Sequence, residues 1–230
     1  FFAAFFGSMA GGGAGFISML TLMNFLPMQE AIATYILGNI GFYAAGASNF
    51  KKVNLIEKKT FLQMLCIAIP GAIIGALLLI QLNDETLKWI ITGFLIPVFI
   101  ILLLNRNIGI TDRDSHWTWV PVFFLANIFQ GMFSSGGGAL NTTGLIVLKG
   151  FTALRAMAYY FFVSTINYFF IITILISQGV ITHYVLGLIV LIGNFIGAFL
   201  GSKIALKQGN QFIKKVMLVI IVVTLLKLWI

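Results

Sequence analysis

The chain has 230 residues, of which 60% are hydrophobic and only 9% charged, with a formal net charge of +8. A soluble domain carries about a quarter charged residues, so this is the composition of an integral membrane protein with room for several spans and little else. The basic residues sit in short loops between apolar stretches, the pattern of a membrane protein's cytoplasmic face, which points away from nucleic acid as a partner.

Apolar segments follow one another at roughly 1–26, 30–50, 60–82, 87–104, 117–148, 154–177, 181–206 and 212–230. Their length and continuous apolarity predict helices and not the short alternating strands of a barrel. Phe1-Phe2-Ala3-Ala4 carries no basic residue and is expected to belong to the first membrane segment, not to a signal peptide. Cys66 has no second cysteine to pair with, and His116 and His183 are isolated at segment ends, so neither a metal nor another cofactor is expected.

The first segment contains Gly7-Ser8-Met9-Ala10-Gly11-Gly12-Gly13-Ala14-Gly15. The fifth contains Gly131-Met132-Phe133-Ser134-Ser135-Gly136-Gly137-Gly138-Ala139, 124 positions later. Consecutive glycines weaken a helix and give up packing. A broken backbone inside a membrane is tolerated only where it is buried in protein or lines a wet cavity, and paired breaks in matching halves point to a transporter's substrate site. The repeat extends to the third segment of each half, where Gly71 and Gly75 match Gly193 and Gly197, with Gly201 one turn on. Glycines four apart put small residues on one helix face, which reads as close helix packing.

Charge sets the topology. If all eight segments cross once, the fourteen Lys and Arg residues split seven against seven. If each glycine segment enters and leaves on one side, as a re-entrant hairpin or a double pass, the split becomes twelve against two, with only Lys88 and Lys227 on the minority side. The second arrangement obeys the positive-inside rule. Length agrees: Trp117 to Leu148 is 32 residues, about 48 Å as one helix, too long for one crossing of a ~30 Å core and short for two. Each half then crosses an odd number of times, so the fold class is an all-α membrane protein of two inverted-topology repeats. Each repeat is one glycine-broken segment plus three transmembrane helices. The first repeat covers 1–105, a cytoplasmic loop 106–116, and the second repeat 117–230.

A hairpin broken near mid-membrane presents unpaired N–H groups and a helix dipole at the start of its second arm, a site for an anion without a buried cation. The expected site is therefore Gly11, Gly12 and Gly13 facing Gly136, Gly137 and Gly138. Neutral donors Gln130, Ser134, Ser135, Asn141 and Thr142 stand around the second copy. Neutral donors bind an anion without holding it too tightly to leave. Arg155 follows the second glycine segment, where it either draws an anion to the cytoplasmic mouth or serves as a positive-inside anchor. Asn39, Asn127, Asn167 and Asn194 lie inside apolar segments and read mainly as interhelical hydrogen-bonders. No Asp or Glu falls in mid-span, and the arrangements of hydrolytic enzymes are absent from the apolar body, so no enzyme is expected.

Two halves, each opening with a G-x-x-x-G-x-G-G-like run followed by three apolar helices, resemble the sulfite and organosulfonate exporters of the TauE/SafE type. The residues carrying the resemblance are Gly7 to Gly15 with Leu26-Pro27 and Ala31-Ile32-Ala33-Thr34, and Gly131 to Ala139 with Ala153 to Ala158. The resemblance implies export of small sulfur-containing anions such as sulfite or sulfoacetate across a bacterial inner membrane. The residues alone imply a small anion carried through paired helix breaks by alternating access. An anion channel of the same architecture and a non-transporting membrane scaffold subunit are the rival readings. Partners are the anion and the lipid bilayer, with a homodimer among the open oligomeric states.

Overall fold

A computed structural model describes residues 1–12, 15–83, 117–134 and 136–213, with isolated positions at 85–93, 112 and 215–222. The segments expected at 87–104 and 212–230 and the loop 106–116 lie mostly outside the described residues. What is described is helical, with no strand. The helices are α1 (Phe2–Met9), α2 (Gly15–Leu22), α3 (Met28–Phe50), α4 (Lys58–Gln81), α5 (Trp119–Phe133), α6 (Gly136–Val147), α7 (Ala153–Ser177) and α8 (Tyr184–Gln208). Three of them, α4, α7 and α8, are long and apolar enough to cross a membrane. The 23-residue α3 is less apolar because it is the innermost helix, with most of its residues buried against protein.

Local chemistry sets the ends. Pro27, in extended backbone, precedes α3, and Glu30 places a carboxylate in its first turn. Thr152 caps α7 by accepting from the Arg155 N–H at 3.3 Å. The first glycine segment breaks at its expected glycines, whereas the second breaks at Ser134, ahead of Gly136, Gly137 and Gly138, which form the first turn of α6. α1 stops at Met9, the Gly12 N–H returns to the Gly7 carbonyl at 2.8 Å, and Gly11 and Gly12 take φ of 71° and 110°. Only glycine enters that region without steric cost. α5 stops at Ser134, which adopts φ 62° although it has a side chain.

Contacts fix the helix directions. Gln29 Nε2 at the start of α3 donates to the Leu79 and Leu82 carbonyls at the end of α4, 3.3 and 2.9 Å away, so these neighbours are antiparallel. α3 and α7 are also antiparallel, since Asn39 meets Tyr168 whereas Phe50 meets Phe161. α8 runs parallel to α3: Gly38 faces Val190, and Asn49 Nδ2 donates to Ser202 Oγ at 2.8 Å. α4 and α8 therefore point in opposite directions, as do α3 and α7. Each also packs on the other's broken pair, α4 against α5 and α8 against α1.

The glycine ladders make those last contacts. Gly71 lies against the Phe124 carbonyl and Gly75 against that of Ile128, while Gly197 and Gly201 lie against the backbone of Phe1 and Phe5. A side chain at any of these positions would have to push two backbones apart, so close packing is their role.

Each broken pair starts and ends on one side. Lys149, just past α6, holds its Nζ 4.7 Å from the ring of Trp119 at the start of α5. Likewise Phe1 and Phe2 share a cavity wall with Thr21 and Leu22 at the end of α2. The Glu57 N–H donates to the Tyr159 hydroxyl (2.8 Å), and the Leu154 N–H to Asn210 Oδ1 (2.9 Å). These bonds gather the start of α4, the start of α7 and the end of α8 at one end of the bundle. Lys51, Lys58, Lys59, Lys149, Arg155, Lys203 and Lys207 lie at that end. At the other, Glu30 stands 3.2 Å from His183 and accepts from Thr182 at 3.1 Å.

Candidate functional site

The two glycine breaks meet in the interior. A Cβ at Gly12 would stand 2.8 Å from Gly138 Cα and 3.0 Å from the Tyr160 hydroxyl, and Gly138 is pressed against the same hydroxyl. Gly11 abuts Thr142 and Met157. The Thr142 hydroxyl lies within reach of two carbonyls, that of Gly138 one turn back and that of Gly11 at 3.4 Å. Gly137 packs on the Gln130 backbone and Cβ. Of the expected site residues, then, Gly11, Gly12, Gly138 and Thr142 form one contact, with Gly137 and Gln130 beside it. Gly136 opens α6. Gly13 and Ser135 lie outside the described residues.

Around this contact runs a buried polar network without a charged group. Asn39 Nδ2 donates to Ser134 Oγ (3.0 Å) and to the Tyr168 hydroxyl (3.2 Å), and the Tyr168 and Ser134 hydroxyls are themselves hydrogen-bonded. The Tyr43 hydroxyl lies 2.7 Å from that of Tyr160 and 3.3 Å from the Ser134 carbonyl. Gln130 Nε2 donates to Ser164 Oγ at 2.7 Å, and Asn167 Nδ2 to Asn127 Oδ1 at 2.9 Å. Asn127 Nδ2 in turn donates to Asn141 Oδ1 at 3.0 Å. Such groups are retained in an apolar interior only when they are paired, since leaving one unpaired costs about 1–3 kcal/mol. Asn167 Oδ1 and the hydroxyls of Thr34 and Thr143 are buried with no hydrogen-bond partner among the described residues.

All four expected asparagines bond between helices. Asn194 Nδ2 reaches Asn39 Oδ1 at 3.3 Å and also borders a cavity of about 420 Å³ lined by Phe1, Ser18, Thr21 and Gly193. Asn194 thus joins that cavity to the central network. Arg155 is not at the breaks. Its guanidinium pairs with Asp112 at 3.2 Å and stacks 4.3 Å over Phe151 at the basic end of the bundle. Nearby, burial and the Arg155 charge lower the Lys149 pKa, partly offset by Glu57. No group of three or more His, Cys, Asp and Glu side chains stands together among the described residues.

The tyrosines escaped the sequence analysis. Tyr35, Tyr43, Tyr160 and Tyr168 are almost fully buried, and all belong to the network or border it. A signal for them exists. Tyr35-x₃-Asn39-x₃-Tyr43 on α3 returns as Tyr160-x₃-Ser164-x₃-Tyr168 on α7, 125 positions later. A four-residue spacing places each set on one helix face, and the offset differs by one residue from that of the glycine clusters.

The model of the family described as "Sulfite exporter TauE/SafE" matches residues 1–228. The chain is 26% identical over 234 residues to the probable membrane transporter protein ORF9 of Sinorhizobium sp, covering 99% of this chain and 88% of that one. It is equally 26% identical to the probable membrane transporter protein YfcA of Escherichia coli K12, covering 98% and 85%. It is 24% identical over 211 residues to the probable membrane transporter protein YdhB of Bacillus subtilis, covering 86% and 83%. No solved structure matches. A family match spanning nearly the whole chain, on an all-helical membrane fold with paired backbone breaks, makes this protein a member of the TauE/SafE family of membrane transporters.

Proposed function

We propose that this protein is a secondary transporter that exports small sulfur-containing anions, such as sulfite or sulfoacetate, across a bacterial inner membrane. The observation that carries the reading is the meeting of the two breaks, Gly12 against Gly138, inside a network of uncharged hydroxyl and amide donors. Such donors and the backbone N–H groups beside them can replace the hydration of an oxyanion, while the lack of a fixed positive charge lets it leave. The sulfur chemistry rests on the family's description.

The chain is read as two inverted repeats that rock against each other around this point. Supporting this, α3 and α7 are antiparallel, α4 and α8 point in opposite directions, and α4–α5 packing is echoed by α8–α1 packing. With the basic end toward the cytoplasm, a membrane potential negative inside drives anions outward at about 2.3 kcal/mol per charge per 100 mV. Tyr160 closes the gap between the breaks, so substrate passage requires the Gly12–Gly138 contact to part.

Counterflow of labelled sulfite in proteoliposomes tests the reading, with sulfoacetate, acetate and chloride as competing anions. Competition by sulfur oxyanions alone, abolished in a folded Gly138→Leu variant, is the expected result. Undiminished flux in that variant would sink the site. Flux at rates of open-pore conduction would favour a channel, and no flux for any anion a scaffold.

A further inference from the structure

The connection between α3 and α4 carries a second pocket, remote from the breaks. Its volume is about 300 Å³, and it is bordered by Lys51, Asn54, Lys58, Phe61 and Phe162. Asn54 adopts φ 49°, which turns the chain sharply between a short 3₁₀ turn, Lys51–Val53, and the extended run into α4. That turn sets Lys51 and Lys58 on the rim of one hollow. Both side chains are exposed, and neither is in an ion pair among the described residues. The neighbouring Glu57 carboxylate instead accepts from the Thr60 hydroxyl at 2.9 Å. The wall of the hollow is apolar. Phe61, in the first turn of α4, meets Phe162, two turns into α7, edge to face with centroids 6.4 Å apart.

Two positive charges at the membrane-water boundary over an aromatic wall that continues toward the hydrocarbon match one kind of ligand in both halves. The ammonium groups suit a phosphate, and the rings suit the glycerol and first methylenes of an acyl chain. A freely diffusing anion would use the lysines and leave the aromatic wall in water. We propose that this pocket binds an anionic phospholipid, with its headgroup phosphate between Lys51 and Lys58 and an acyl chain along Phe61 and Phe162. Because the pocket bridges the α3–α4 connection and α7, bound lipid would tie together the two helices whose tyrosines surround the breaks. The proposal rests on the membrane fold and not on the identity of the transported anion.

The test is the melting temperature of the purified protein in neutral detergent with added phosphatidylglycerol, phosphatidylcholine or inorganic phosphate. Phosphatidylglycerol should stabilise more than phosphatidylcholine, and inorganic phosphate should do little at the same concentration. In Lys51→Gln/Lys58→Gln, the apparent affinity for phosphatidylglycerol should fall roughly thirtyfold, the scale of two lysines near an anionic surface. The melting temperature in phosphatidylcholine, which reports folding, should hold. A control pair at the same end, Lys203→Gln/Lys207→Gln, should keep the lipid response. Equal loss in both pairs would mean a diffuse surface potential and overturn the site. Stabilisation by inorganic phosphate matching that of the lipid would mean a free-anion site, and no headgroup preference would mean none. A flat sulfite flux beside a selective lipid response would count against the transport reading and leave this one standing.

Discussion

The two breaks solve the same problem in different ways. At the first, Gly11 and Gly12 turn the chain with positive φ values that glycine adopts without steric cost, and no polar side chain within the break assists them. At the second, a serine takes a positive φ of 62°, and its side chain and carbonyl are held by Asn39, Tyr43 and Tyr168. Gln130, Asn141 and Thr142 add polar groups on the same hairpin. One hairpin thus supplies a bare backbone that can approach closely, and the other supplies side-chain donors. Both segments break the helix, but the polar side chains gather at only one of them.

The sharpest way to break this comparison is at Gly12. Gly12→Ala forces a left-handed residue and a Cβ 2.8 Å from Gly138 Cα, so it should cost about 2 kcal/mol or more. Gly144→Ala, whose nearest neighbour would be 3.5 Å away, is the control and should melt like wild type. Thermal unfolding followed by intrinsic fluorescence reads both.

Ser134 separates conformation from hydrogen bonding. Ser134→Ala keeps the unfavourable φ and strips a partner from Asn39 and Tyr168, with an expected loss of about 1–2 kcal/mol. Ser134→Gly loses the same hydroxyl and relieves the backbone, so it should melt higher than the alanine variant. Equal stability of the two would show that the positive φ at Ser134 carries no cost.

Tyr160→Phe removes the hydroxyl wedged between the breaks and leaves Tyr43 without its 2.7 Å partner. About 1 kcal/mol should be lost, while anion flux should change by more than that stability loss accounts for. Unchanged flux would confine Tyr160 to packing. The smallest effect belongs to Arg155→Gln. Its partner Asp112 is 49% exposed, and exposed pairs are worth about 0–1 kcal/mol, so stability should barely move. If flux falls steeply all the same, Arg155 works as a mouth residue in addition to anchoring the end.

The neighbourhoods of the breaks were legible because glycine is costly in an apolar helix; the first break lies on Gly11-Gly12, but the second lies on Ser134 and leaves Gly136-Gly137-Gly138 to open α6. The packing ladders were legible for a related reason: Gly71/Gly75 and Gly193/Gly197 repeat at the spacing of one helix face. Tyrosine gave no such warning. Tyr35, Tyr43, Tyr160 and Tyr168 are at home in an apolar helix and stand out only when their shared spacing is set beside the glycine offset.

The sequence by itself determined that this chain lies in a membrane, in which neighbourhoods its backbone breaks, and which break is polar, because these depend on composition and on residues adjacent in the chain. Only the tertiary structure decided that Gly12 faces Gly138, that Tyr43 and Tyr160 join hydroxyls across antiparallel helices, and that Arg155 pairs at the bundle's end instead of facing the breaks. Those contacts join residues more than a hundred positions apart in the first two cases. They follow from how separate segments pack, and a helical period says which residues share a face but not which other face they meet.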